Sequence, residues 1–243
     1  MKDYQYDYEW DSKYCYPNSF VLINSLNIKD KARLNESERE ITSIRISQIK
    51  EHPCKGNLDL KHLQKIHKFI FQDVYSWAGQ LRTVNIAKGN QFCNCMYIEP
   101  GFDSIYEKLI NDQFLLKVSP DMICDKLAFY LGEINVVHPF REGNGRAQRV
   151  FIQYLAQIAG YSVNFANVTA KEMIEASAAA FDCDYHKMTE LFRKITEPIP
   201  AQDQEQFIHS IVGKNSSVLA AYKSLVEDQE QTPIDDESPA MKF

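Results

Sequence analysis

Residues 138–149 read His-Pro-Phe-Arg-Glu-Gly-Asn-Gly-Arg-Ala-Gln-Arg, and this stretch constrains the chain more than any other. It gathers an imidazole, a carboxylate, an amide, two glycines and three guanidinium groups, with an apolar run of helical period on either side. A glycine-rich turn feeding a helix start suits an anion. The first backbone N–H groups of a helix have no intrahelical partner, and the helix dipole adds positive potential there. Arg146 and Arg149 are three residues apart, so on a helix both can face one anion. Glu142 can hold a hard cation such as Mg²⁺, which usually binds through one or two carboxylates plus substrate phosphates. His138 is a natural general base. The residues alone point to an anionic, phosphorylated substrate and to acid–base or phosphoryl chemistry.

Composition narrows the class. The chain has 243 residues, 44% hydrophobic and 25% charged, which is globular and enough for one sizeable core. A net charge of -6 argues against direct nucleic-acid binding, which calls for a basic excess. No apolar run is long enough to span a bilayer, so no membrane insertion is expected. The polar, acidic start Met1-Lys2-Asp3-Tyr4 is unlike a secretory signal. The expected location is therefore the cytoplasm, or another cell reached by a secretion route the sequence does not display. The six cysteines are scattered; Cys93-x-Cys95 has no second pair to complete a zinc site, and they read as reduced thiols.

Residues 1–20 are rich in tyrosine and acid and read as an arm laid across the domain. Asn35 with Glu38 reads as a cap for a helix running to about Lys50. Leu60, Leu63, Ile66, Ile70, Val74 and Trp77 mark an amphipathic helix over 57–77, with His62 and His67 as exposed or supporting imidazoles. The segments 81–86 and 96–98 are β-prone around Lys88-Gly89-Asn90, which predicts a small hairpin. Its edge could bind an extended peptide by strand addition. Further helices are expected over 100–114, from Ser119-Pro120-Asp121 to Val137, from Gly145 to before Gly160, from the Thr169/Glu172 capping box to about Phe181, and over 185–195. Glu197-Pro198-Ile199-Pro200 reads as the start of a polar linker. Beyond it, two short helices interrupted at Gly213 form an extension over 198–228, and an acidic tail over 229–243 is expected to be disordered.

The central stretch resembles the Fic-domain signature His-x-Phe-x-(Asp/Glu)-Gly-Asn-Gly-Arg-x-x-Arg and matches it at every specified position. The resemblance extends from about Tyr16 to about Ile195, which places a Fic domain at 21–197. It implies a mainly α Fic fold, a helical bundle with a small β-hairpin flap. It also implies transfer of AMP from ATP to a hydroxyl side chain (Tyr, Thr or Ser) of a target protein, with Mg²⁺ present and pyrophosphate released. In that picture His138 is the base and Glu142 the metal ligand. Gly143, Asn144 and Gly145 hold the α-phosphate, and Arg146 and Arg149 hold the outer phosphates. Lys88, Gly89 and Asn90 form the target-aligning flap, with Lys88 and Gly89 also beside the nucleotide. Gly145 argues against the kinase-like relatives, which carry lysine there. Transfer of phosphocholine or UMP, or a non-catalytic nucleotide-binding module, stay open as alternatives.

Many Fic proteins carry an inhibitory helix, (Ser/Thr)-x-x-x-Glu-(Gly/Asn), whose glutamate pairs with the second motif arginine. Ser47 to Glu51 has the spacing but is followed by His52, and Ser224 to Glu227 is one residue too short. Arg149 is therefore expected to lack such a partner. Control would come from a small antitoxin-like protein, or be absent in a toxin or effector acting on a foreign cell.

Overall fold

The computed structural model describes residues 13–230, with the side chains of 228–230 left undescribed. Among these residues nine α-helices and two small antiparallel sheets alternate along the chain. The helices are α1 (Lys31–Glu51), α2 (Leu60–Phe71), α3 (Ile98–Asn111), α4 (Ile123–Val137), α5 (Asn144–Ile158), α6 (Ala170–Phe181), α7 (His186–Ile195), α8 (Ala201–Ile211) and α9 (Ser217–Glu230). Strands β1 (Ala87–Lys88) and β2 (Asn90–Gln91) form the flap, and β3 (Tyr161–Val163) pairs with β4 (Thr196–Pro198). The expected mainly α bundle with one hairpin is what the chain forms.

Helices α4 and α5 are its axis. Leu127, Tyr130, Ile134, Phe151, Ile152, Leu155 and Ile158 are fully buried, because α2 and α8 cover α5 while α3, α6 and α7 cover α4. Each such side chain contributes on the order of 1.5–3 kcal/mol when removed from water. With apolar contacts on nearly every side, the only way out for the chain between α4 and α5 is a short loop at one end of the bundle. That loop is 138–143.

Several boundaries differ from the sequence reading, each for a local reason. Helix α1 starts at Asp30, whose carboxylate accepts from Arg33 N–H, so Asn35 and Glu38 lie inside it. Helix α2 is capped by Asp59 and ends at Phe71; Val74 and Trp77 are buried from the turns that follow. The hairpin is shorter than 81–86 paired with 96–98. Residue 82 is a buried arginine that pins its segment as irregular chain, and Asn94 caps a 3₁₀ turn at Cys95–Tyr97 that runs into α3. Helix α4 begins at Ile123, after a turn rather than a side-chain cap. His62 and His67 are fully buried rather than exposed. The β3–β4 ladder places Thr196–Pro198 in a strand where a linker was expected. The Thr169/Glu172 capping box forms as read, with both reciprocal bonds.

Of the expected arm, residues 1–12 lie outside the described residues. Its end buries Tyr14 and Cys15, and Tyr14 meets Trp77 edge-on at 5.6 Å. Helices α8 and α9 bury Ile208, Ile211 and Val218 against the core. Helix α9 reaches Glu230, and the rest of the expected acidic tail, 231–243, lies outside the described residues.

Candidate functional site

The loop begins where α4 is forced to end. His138 precedes a proline, which disfavours continued helix, and it takes a left-handed conformation (φ 46°, ψ 62°) while its N–H still bonds to Ile134 O. Its Nδ1 lies 3.1 Å from Asn135 O. A carbonyl can only accept, so Nδ1 carries the proton and Nε2 has the lone pair. Burial lowers the His138 pKa to about 3; Asn135 O opposes the shift, and Arg82 and Lys88 add to it. At neutral pH the ring is therefore a neutral base. The Phe92 ring, just past the flap, stacks on it at 3.7 Å.

Three side chains fix the loop from behind. Phe140 is fully buried against the His67 ring, 3.9 Å away. His67 Nδ1 accepts from Gly79 N–H at 2.9 Å, so its Nε2–H donates to Glu142 O, also at 2.9 Å. Burial holds His67 neutral, with its pKa lowered to about 3. Arg82 is buried and donates to His138 O at 2.9 Å, to Val84 O at 2.7 Å and to Cys93 O, tying both legs of the flap to the loop. Gly143 closes the turn with φ 81°; a Cβ there would lie 2.2 Å from the Phe71 ring, so only glycine fits.

The motif residues then face one cleft of about 500 Å³. The start of α5 has no side-chain cap, and its first-turn residues Asn144 and Gly145 line the cleft. Glu142 lines it as well; one carboxylate oxygen accepts from Gly143 N–H at 2.9 Å. Burial, then the nearby Glu38 carboxylate, raises its pKa. Among the described residues no group of three His, Cys, Asp or Glu could hold a metal. A cation here would rest on Glu142 and on the oxygens of a bound ligand, a donor set that fits Mg²⁺ with a phosphate substrate.

Not every motif side chain points the same way. The Asn144 amide, expected on the α-phosphate, accepts from Phe140 N–H at 2.8 Å and donates to Phe140 O at 2.7 Å, bracing the loop instead. Arg146 lines the cleft, but its terminal nitrogens bond to Glu38 at 2.5 Å and Thr42 at 3.0 Å on α1. Arg149 also lines the cleft, and among the described residues no ion pair engages it. Burial, then the neighbouring Arg146 charge, lowers its pKa. Lys88, Gly89 and Asn90 form the opposite lip.

The sequence reading missed the far wall. Met173, Ile174, Ala178 and Phe181 of α6 line the cleft opposite the loop and give it an apolar side. The signal was present: Ile174, Ala178 and Phe181 follow i, i+4, i+7, while Ala176 and Ala180 face the core. One short helix thus carries more apolar faces than a single core needs.

A neutral imidazole, an uncapped helix start, a carboxylate and an exposed hairpin around one cleft define a helical domain whose cleft suits an anionic group such as a phosphate. The sequence profile of the Fic/DOC family matches residues 57–156. The chain is 38% identical over 182 residues to the protein adenylyltransferase VbhT of Bartonella schoenbuchensis, covering 74% of this chain but 38% of that one. It is 34% identical over 183 residues to the probable protein adenylyltransferase Fic of Escherichia coli, covering 75% of this chain and 90% of that one. The structure of BepC, a VirB-translocated effector of Bartonella tribocorum solved with AMPPNP, superposes with a TM-score of 0.74 at 26% identity, covering 77% of this chain and 98% of that one. An N-terminal Fic domain from Bartonella quintana, solved with ADP, superposes with a TM-score of 0.73 at 29% identity, covering 78% and 96%. The chain belongs to the Fic/DOC family.

Proposed function

We propose that this chain transfers AMP from ATP to a hydroxyl side chain of a target protein and releases pyrophosphate. The reading is carried by one observation: a neutral imidazole with its lone pair on Nε2 shares a cleft with an uncapped helix start and the Arg149 cation. The similar proteins named adenylyltransferases, and the similar structures holding AMPPNP and ADP, point the same way.

In this reading His138 Nε2 takes the proton of the target hydroxyl as its oxygen attacks the α-phosphorus. The bond from that phosphorus to the bridging oxygen breaks, and pyrophosphate leaves. The N–H groups of Asn144 and Gly145, next to Gly143 at the turn, receive the charge that develops on the α-phosphate; preorganised donors of this kind each lower a barrier by roughly 3–4 kcal/mol. Arg149, with Arg146 beside it, takes the outer phosphates. Glu142 would hold Mg²⁺, which supplies charge neutralisation across the phosphates when bound. The apolar α6 wall suits a flat nucleobase. Lys88, Gly89 and Asn90 hold the target segment as an added strand, with Lys88 and Gly89 also next to the nucleotide.

Arg149 has no ion-pair partner among the described residues, which supports control from outside by a small antitoxin-like protein that offers it an acid. The site of action is then the bacterial cytoplasm or, as for translocated BepC, another cell. No described helix is long and apolar enough to cross a membrane. The test is mass spectrometry after the full chain is incubated with lysate, Mg²⁺ and ATP, with UTP and CDP-choline in parallel. An AMP adduct on this chain or a lysate protein is expected. Adducts only from another donor would reassign the group transferred, and nucleotide binding without any adduct would leave a binding module.

A further inference from the structure

Glu38 lies 108 residues from Arg146 in sequence, inside α1 and outside the 138–149 signature. It is nevertheless buried, and its carboxylate is held at both oxygens. Oε2 accepts from the Tyr75 hydroxyl, and Oε1 accepts from Arg146 Nη2 at 2.5 Å. One turn on, the Thr42 hydroxyl donates to Glu38 O at 2.7 Å, which turns a lone pair toward Arg146 Nη1, 3.0 Å away. The guanidinium lies over the Phe71 ring at 4.6 Å, and the same Nη2 is 3.9 Å from the Glu142 carboxylate.

We propose that Glu38 is a positioning residue for nucleotide binding: with Thr42 and Phe71 it fixes the Arg146 guanidinium at the cleft edge, so the cation meets the outer phosphates without reorganising. This rests on the nucleotide reading of the cleft. Each terminal nitrogen donates to an acceptor on α1, and a guanidinium has further N–H groups to present to the cleft. The contact is a permanent clamp rather than a latch that ATP displaces. Pulling Arg146 away would leave the Glu38 carboxylate buried and uncompensated beside a second carboxylate, Glu142, which is strongly unfavourable.

Glu38→Gln keeps the volume and the Tyr75 contact but loses the charge. Calorimetric titration of the full chain with Mg²⁺ should show AMPPNP binding weakened about tenfold and AMP binding by less than about twofold, because only the triphosphate reaches Arg146. In an Arg146→Ala background, Glu38→Gln should add less than about twofold, since it acts through that arginine. Equal losses for both nucleotides, additive losses in the double variant, or tighter AMPPNP binding would each overturn the proposal. Should Glu38→Gln fail to fold, Thr42→Val should weaken AMPPNP in the same direction by a smaller factor, and no change would count against the clamp. Absence of AMPPNP binding by the wild type would remove the nucleotide reading itself. The Arg146 guanidinium NMR signal of the ligand-free chain then still decides the clamp: sharp in wild type and broadened in Glu38→Gln if it exists, unchanged if it does not.

Discussion

The two lips of the cleft are built in opposite ways. The loop at 138–143 and the first turn of α5 are overdetermined. His67, Arg82 and Asn144 each place buried hydrogen bonds on the loop backbone, and Glu38 and Phe71 hold the arginine above it. The flap opposite is two residues per strand around Gly89, with Lys88, Asn90 and Gln91 exposed and nothing within 4 Å of where a Gly89 side chain would begin. A nucleotide presents the same groups at every turnover, and a rigid cradle binds it with little ordering cost of its own. A target segment varies, and a short open strand edge accepts backbone of any sequence. Under the proposed function, the difference would give affinity and chemistry to one lip and adaptation to the other.

Substitutions can break this division. The largest effect is expected from His138→Ala, which should lower transfer by about 10²–10⁴-fold while AMPPNP affinity stays within about twofold, because the base acts on the incoming hydroxyl. Near-normal transfer in a discontinuous AMP-incorporation assay would take the role from His138. Next comes Asn144→Ala, which strands the buried Phe140 N–H and O; it should cost about 1–3 kcal/mol in urea unfolding and weaken nucleotide binding as well. A variant of unchanged stability would show that the loop is not held by this side chain.

Gly89→Pro tests the flexible lip. It removes an N–H and forbids the φ of 79°, so modification of a target should fall several-fold while unfolding midpoint and AMPPNP affinity hold. Parallel loss of transfer and nucleotide affinity would assign the hairpin to nucleotide binding instead. The smallest effect is in acid. His67 and His138 are held well below the ordinary imidazole value of 6.5, to about 3. The unfolded chain therefore takes protons first as pH falls, and their stabilisation is full above pH 6.5 and declines from there toward about 3. Glu142, raised by burial, slopes the other way. Comparing urea midpoints of wild type and His67→Gln between pH 7 and 4.5 isolates the histidine: the variant should fall less steeply. Identical slopes would mean that His67 is already charged in the folded protein.

What was legible in the sequence follows from distance along the chain. The 138–149 stretch reads directly because its groups are neighbours, and the Thr169/Glu172 box because both of its bonds span three residues. The supports are not neighbours. Arg82 reaches His138 across 56 residues, His67 reaches Glu142 across 75, and Glu38 reaches Arg146 across 108, so no local pattern marks them. Arg82 also misled the strand reading. A β-prone run containing an arginine looks like an exposed strand, whereas this guanidinium is buried among carbonyls and holds its segment out of the hairpin. The Asn144 side chain is ambiguous for a related reason: an amide in a phosphate loop suits a ligand and suits the loop's own backbone equally well, and the fold shows it on the Phe140 backbone.

The Glu38 contact bears on how portable this domain is. The stretch matched by the family profile, residues 57–156, contains Arg146 but not the helix that neutralises it. A segment cut to those limits and moved into another protein would keep every letter of the signature and lose the counter-charge of one of its two arginines. The heritable unit of this site is therefore larger than its motif. A recombination point between 51 and 57 would part Glu38 from the arginine it contacts, so under the proposed clamp a domain exchanged intact would have to carry α1 along with it.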